Sequence, residues 1–254
     1  MVLSRAIPCL LIKNGGLVKT KKFKNANYIG DPINAIKIFN EKEVDELMIV
    51  DIDVSSKGTD INYELIEDIA SECFMPVCYG GGVNSIDQMK KLYSLGIEKV
   101  SLSSSALNNP QLVTDAAKTF GSQSVVVTID VKKNFWGNQK VFFHNGKKNS
   151  KVDVLDFVVE MENRGAGEIV INSIDRDGMM NGYDLDLLKE IKSSTTIPVI
   201  ALGGAGSLSD LSTVVNEIGI SAAAAGSLFV YHGPLNAVLI NYPSYEELRN
   251  IFKN

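Results

Sequence analysis

Short apolar runs alternate with amphipathic segments along the whole chain. Residues 6–12, 46–52, 76–79, 99–102, 124–131, 168–172, 198–202 and 221–225 are nearly continuous in Val, Ile, Leu and Ala. That is the pattern of strands covered on both faces. Between them, residues 32–42, 63–73, 85–95, 110–119, 152–164, 185–192, 207–217 and 244–252 carry helical periodicity. Asp31-Pro32 and Asn109-Pro110 are helix-starting signals. Strict alternation of strand and helix predicts a parallel α/β sheet. At 254 residues, a closed (β/α)8 TIM barrel is the leading architecture and a doubly wound open sheet the alternative.

The pattern also repeats within the chain. Residues 7–13 line up with 126–132, 44–49 with 166–171, and Ile52-Asp53 with Ile174-Asp175. Pro76-Val77 and Gly80-Gly81-Gly82 echo Pro198-Val199 and Gly203-Gly204, and residues 96–104 echo 219–227. Two related four-strand halves predict paired sites, one from each half. They should lie at the C-terminal ends of the strands, where barrel sites form.

Composition narrows the field. With 45% hydrophobic residues, one domain spanning residues 1–254 is expected to fold without disulfides or metals. A net charge of −5 and a pI of about 5.2 carry no nucleic-acid footprint. The basic runs Lys21, Lys22, Lys24 and Lys147, Lys148 read as solvated loop charge rather than phosphate contacts. Cys9, Cys73 and Cys78 make neither a disulfide framework nor a metal spacing. His144 and His232 are the only histidines, so no metal site, no His-based triad and no cofactor is expected. The first 13 residues lack the length and cleavage signal of a secretory leader. There is no uninterrupted apolar run of ~18 residues. No membrane span and a reduced cytoplasmic setting are therefore expected.

The glycines suggest chemistry. Tyr79-Gly80-Gly81-Gly82 follows the third strand and Leu202-Gly203-Gly204-Ala205-Gly206 the seventh, each read as opening a helix. Glycine lets backbone N–H groups approach an oxyanion closely, and a helix start favours negative charge. Ser103, Ser104 and Ser105 end the fourth strand; Gly226 and Ser227 end the eighth. Glycine runs also make tight turns, but two copies in register, each beside serines, point to two phosphate cradles. A ligand with a phosphate at each end would bridge them. Asp177-Gly178 is placed with the second cradle, its glycine offering an amide and its aspartate fixing the loop or meeting a hydroxyl.

These segments resemble a known family. Ile7-Pro8-Cys9-Leu10, Gly30-Asp31-Pro32, Gly80-Gly81-Gly82, Lys99-Val100-Ser101, Gly146-Lys147-Lys148, Arg164-Gly165-Ala166-Gly167-Glu168, Ser173-Ile174-Asp175-Arg176-Asp177-Gly178 and Gly203-Gly204-Ala205-Gly206 are similar to the cyclase subunit of imidazole glycerol phosphate synthase. The likeness covers essentially the whole chain. It implies a half-barrel-duplicated TIM barrel of the ribulose-phosphate-binding type, docked on a glutaminase. Ammonia from that partner would enter the N-terminal face, cross the core and react with a ribulosyl aminoimidazole bisphosphate at the C-terminal face. Two aspartates ending the first and fifth strands serve there as acid and base, helped by a lysine. The resemblance places the fifth-strand acid at Asp130 and the lysine at Lys19. It places the phosphate contacts at Gly82, Ser103, Ser104, Gly178, Gly204, Gly226 and Ser227, with Asp177 beside them.

The departures gather where the chemistry would be. The first-strand aspartate position holds Leu11, which can neither take nor give a proton. The internal repeat says the same without the family, because Leu11 is the half-barrel counterpart of Asp130. A serine usual at the end of the seventh strand is Leu202, a threonine after Asp177-Gly178 is Met179, and an asparagine of the first cradle is Ser103. The opposite face differs. The family's charged ring, which gates ammonia, matches Arg5, Glu46, Lys99 and Glu168, expected one from each alternate strand. An ion-pair ring that satisfies buried charge accounts for the same residues.

A retained gate and a broken acid–base pair imply a barrel that accepts ammonia without cyclising. This is similar to cyclase paralogues associated with acetamidino-sugar pathways of surface polysaccharides, as is the segment 233–243. The partners so implied are a class I glutaminase at the N-terminal face, an ATP-dependent N-acetyl-sugar amidotransferase and a phosphorylated small molecule. The alternative is the histidine-pathway cyclase itself, making imidazole glycerol phosphate and an aminoimidazole carboxamide ribotide, with Lys19, Asp53 or water replacing the lost carboxylate. A phosphoribosyl isomerase also needs two opposed aspartates, so Leu11 counts equally against it. Residues 132–151 read as a long loop, either a lid or a docking surface, with Trp136 packed within it or serving as an interface anchor.

Overall fold

The computed structural model describes residues 4–134 and 136–252. The expected domain 1–254 therefore includes residues 1–3, 135 and 253–254, which lie outside the described residues. The barrel strands are Arg5–Lys13, Leu47–Asp51, Val77–Gly80, Lys99–Leu102, Val125–Lys133, Glu168–Ser173, Val199–Leu202 and Ala222–Ala225. Neighbours pair in parallel around the circle. It closes where the eighth strand joins the first, with Arg5 opposite Ala222 and Pro8 opposite Ala225. The closed (β/α)8 barrel is thus the fold, not the open sheet.

Alternation along each strand divides two cores. Ile7 and Cys9 of the first strand point into the barrel with Met48, Cys78, Val126, Val170 and Ile200. Ala6, Leu10 and Ile12 point outward to the helices. Both faces are dry, so the strands read as continuous apolar runs. The largest fully buried side chains, Phe39, Phe229 and Tyr79 among them, each remove enough apolar surface from water to contribute roughly 1.5–3 kcal/mol.

The eight predicted helices all form, their ends within two residues of the sequence pattern. Asp31 caps Pro32–Glu41, its side chain accepting from Asn34 N, with proline in the first turn where its missing N–H costs nothing. Ser207 and Asp210 form a reciprocal capping box on Leu208–Asn216. Lys21, Lys22, Lys24, Lys147 and Lys148 are exposed, as the solvated reading requires.

Two hairpins depart from the expected plan. The first strand continues into Gly16–Lys21 and Lys24–Gly30, with Leu11 opposite Val18 and Lys19 opposite Asn27. The fifth strand continues into Gln139–Phe143 and Lys148–Asn149, with Asp130 opposite Phe142. The described part of residues 132–151 therefore carries further strands and is not one long loop. Trp136 is 83% exposed. Among the described residues, no helix is long and apolar enough to cross a membrane.

Candidate functional site

At the N-terminal end of the barrel the four nominated charges meet in a closed ring. Arg5 Nη1 donates to Glu46 Oε2, and Arg5 Nη2 to Glu168 Oε1 at 2.7 Å. Lys99 Nζ donates to Glu46 Oε2 at 3.0 Å and to Glu168 Oε2 at 2.9 Å. The residues come from the first, second, fourth and sixth strands, or the residue just before the strand for Glu46, rather than from alternate strands. Burial works against the charge of Lys99, but Glu46 and Glu168 outweigh it and raise its pKa. Arg5 is raised in the same way, with Glu168 and Glu46 overcoming burial. Arg5 Nε is buried with no partner, so the ring is charge-balanced but leaves one donor unmatched. Directly above lies the apolar layer of Ile7, Met48, Cys78, Val126, Val170 and Ile200.

At the C-terminal end a cavity of about 450 Å³ opens between the two halves, and every residue nominated for the upper site lines it. Lys19 and Asp130 do so, as do Gly82, Ser103 and Ser104 of the first cradle and Gly178, Gly204, Gly226 and Ser227 of the second, with Asp177. The glycine runs do not open helices directly. The long helices start later, behind Ser85 and Ser207. One-turn helices begin at Ser104 and Ser227 instead. Gly82 has a φ of +71°, and a Cβ there would stand 1.9 Å from Val54 Cγ1. Gly204 has a φ of +117°, and its Cβ would meet Gly182 O at 2.2 Å. Only glycine allows both the conformation and the approach.

Asp130 ends the polar side of the fifth strand. It is half-buried in the cavity wall, and burial pushes its carboxyl up to about 7 against the hydrogen bond from Asn172, with Asp177 adding to the rise. Asn172 Nδ2 donates to Asp130 Oδ1 at 3.0 Å. Asn172 Oδ1 is buried without a partner. It is an acceptor that sequence reasoning missed, since nothing but its place on the neighbouring strand marks it. Such a carboxyl can hold or release a proton near neutrality.

Leu11 lies across the barrel from Asp130 and, like Val50 and Leu202, packs on the inner apolar layer at the cavity wall. That side of the mouth offers no proton-transfer group at the position paired with Asp130. Asp53 does not replace it. Its Oδ2 accepts from Asn14 N at 2.7 Å and Lys57 Nζ at 2.9 Å, and it is absent from the cavity lining. Met179 is 39% exposed and does not line the cavity either, so of the three polar-to-apolar departures Leu11 and Leu202 reach the mouth.

Lys19 projects inward from its hairpin. It is 6% exposed, and its Nζ donates to Cys9 O at 2.6 Å. Burial lowers its pKa, opposed by Cys9 and Asp177. Asp177 accepts from Thr20 Oγ1 at 2.8 Å and Phe23 N at 3.3 Å, which pins the first hairpin over the second cradle. Its carboxyl is raised by burial against these bonds. Among the described residues no cluster of three His, Cys, Asp or Glu side chains could hold a metal ion.

The fold and the site define a (β/α)8 barrel with a charged ring at one end and a two-cradle cavity at the other. The family described as "Histidine biosynthesis protein" matches residues 5–236, and the chain belongs to it. It is 53% identical to "Putative imidazole glycerol phosphate synthase subunit hisF2" of Pseudomonas aeruginosa, over 98% of this chain and 99% of that one. It is 50% identical to a similarly named HisF protein of Leptospira interrogans, over 99% of this chain and 100% of the other. It is 40% identical to imidazole glycerol phosphate synthase subunit HisF of Streptococcus sanguinis, over 91% of this chain and 92% of that one.

Proposed function

We propose that this chain is the ammonia-accepting barrel of a glutamine amidotransferase complex. A class I glutaminase docks on the face carrying Arg5, Glu46, Lys99 and Glu168. Ammonia passes the ring, crosses the barrel and leaves at the upper cavity for an ATP-dependent enzyme that amidates an N-acetyl sugar in surface polysaccharide synthesis. The two cradles hold a phosphorylated small molecule at the exit. The observation that carries this reading is Leu11. The ring is complete, while the mouth keeps one carboxyl of the opposed pair that cyclisation needs.

The cyclase reading has its own support in the 40% identity to a protein named as the synthase subunit and in a carboxyl poised at about 7 beside Lys19's cavity wall. Purified barrel given ammonium salt and the ribulosyl aminoimidazole bisphosphate decides between them. The conduit reading expects no turnover above the uncatalysed rate, and Leu11→Asp to raise any trace activity. Robust turnover by the unaltered chain would sink it. With the glutaminase and the sugar amidotransferase both added, Lys99→Ala should lower glutamine-dependent amidation while ammonium-dependent amidation holds.

A further inference from the structure

The two hairpins do more than extend the strands; each crosses the mouth to the opposite half. The first-half hairpin delivers Lys19 to the second cradle. A Cβ on Gly226 would stand 2.0 Å from Lys19 Nζ, so the ammonium lies directly against that glycine. The second-half hairpin makes the reciprocal crossing. His144 N donates to Ser104 Oγ at 3.1 Å, and Asn145 Nδ2 donates to Ile52 O at 2.8 Å. Gly146 is wedged between Phe23 and Ile174, where a Cβ would stand 3.1 Å from each.

The turn that makes this crossing is held in a costly shape. His144, Asn145 and Gly146 take φ of +51°, +55° and +71° in succession. A histidine in the left-handed region costs roughly 1 kcal/mol. Such strain persists where surrounding contacts over-determine the backbone, and it concentrates at functional sites. The contacts to Ser104, Ile52, Phe23 and Ile174 are what hold it here.

Charge around the cavity completes the argument. Among the described residues Lys19 is the only lysine lining it and no arginine does, and Lys19 belongs to the second cradle. Among the described residues lining the cavity, one other side chain can carry positive charge, that of His144, whose backbone N–H anchors it to Ser104 of the first cradle. Ser104 Oγ already accepts from His144 N, so its own proton is free to donate toward the cavity.

We propose that His144 is the cationic ligand of an oxyanion bound in the first cradle, the counterpart of Lys19 at the second, so that each half-barrel supplies the cation for the other half's site. This rests on the reading of the cavity as a site for a phosphorylated molecule. The ligand class is a compound with tetrahedral oxyanions at both ends. An anion at the first cradle also fastens the second hairpin over the mouth, because ligand and turn share His144.

The test is a titration of the ¹⁵N-labelled full chain with inorganic phosphate, followed by NMR. The Gly82 and Ser104 amides report the first cradle; the Gly204 and Ser227 amides report the second. In the unaltered chain both sets should move and saturate. His144→Ala should weaken the first set about tenfold, as loss of one charge-assisted contact does, and leave the second unchanged. His144→Lys should restore the first to within about threefold. The second set reports whether the variant is folded. If His144→Ala leaves the first set as tight as before, the assignment of His144 is wrong while the two-cradle reading stands. If neither set saturates in the unaltered chain, the two-cradle reading falls and takes this inference with it.

Discussion

The two ends of the barrel are built from the same strands and have diverged. At the lower end every charge has two opposite neighbours: Arg5 and Lys99 each touch both Glu46 and Glu168. At the upper end Asp130 touches one amide, and Leu11 stands where a second acid would be. A ring of four paired charges is a unit, and losing one member leaves its two half-buried neighbours with a single partner between them. An apolar replacement at the mouth leaves nothing unmatched, because Leu11 packs on the apolar layer inside the barrel. The lower end therefore resists change, and the upper end can lose chemistry without losing the fold.

The largest effect should come from breaking the ring. Glu46→Ala leaves Arg5 and Lys99 sharing Glu168, with Glu46's own site 4% exposed in the native chain. We expect a destabilisation of about 3–5 kcal/mol in urea unfolding. A loss below about 1 kcal/mol would mean that the four charges are solvated individually and that the contrast between the ends is false.

Asp130 gives the matching test at the upper end. Its carboxyl lies at about 7 in the folded chain, against an ordinary value of 3.8, because of burial. Between those two pH values the folded chain binds more protons than the unfolded one, so this group's contribution to stability falls as pH rises. Above pH ~7 the full cost, roughly 4 kcal/mol, is in place. Asp130→Asn removes it. The variant should match the unaltered chain at pH ~4 and exceed it by up to roughly 4 kcal/mol at pH ~8, measured by urea unfolding at each pH. An equal gap at both would show that Asp130 is not held as a buried acid.

Much of this was legible in the residues. Strands buried on both faces have no polar side to disguise them, so all eight barrel strands stood out. The half-barrel repeat paired Leu11 with Asp130 before any geometry, and every nominated residue of the upper site lines one cavity. The hairpins were not legible. Lys24–Gly30 is a largely exposed edge strand of mixed polarity, and Gln139–Phe143 buries only Val141. Neither buries enough to impose a period-two pattern. His144 and Asn172 were hidden for a related reason. Their partners, Ser104 and Asp130, lie 40 and 42 residues away, and only the hairpin crossing and the pairing of the fifth and sixth strands bring them together.

A smaller effect separates the ring from its surroundings. Tyr242, far along the chain, donates from Oη to Ala6 O at 2.8 Å beside the ring's first strand, and Asp45 Oδ2 accepts from Ala6 N at 3.0 Å. Tyr242→Phe leaves a buried carbonyl short of one donor and should cost about 1–2 kcal/mol in the same unfolding measurement. The ring charges are untouched, so glutamine-dependent ammonia transfer should persist. A collapse of transfer together with so small a stability loss would place Tyr242 in the docking surface.

The smallest stability effect is expected at Gly226, and it sharpens the contrast within the upper end. Gly82 is fixed by its positive φ and by Val54 against it. Gly226 has a φ of −100°, which any residue adopts. What fills its side-chain space is Lys19 Nζ at 2.0 Å, the far end of a flexible chain. Gly226→Ala should therefore cost no more than about 1 kcal/mol and displace the Lys19 ammonium from the second cradle. Phosphate binding reported by the Gly204 and Ser227 amides should weaken about tenfold, while Gly82 and Ser104 respond as before. A loss of 3 kcal/mol or more would mean that Lys19 is as fixed as the ring below. The mouth would then be a second rigid charge site rather than the part of the barrel free to change its chemistry.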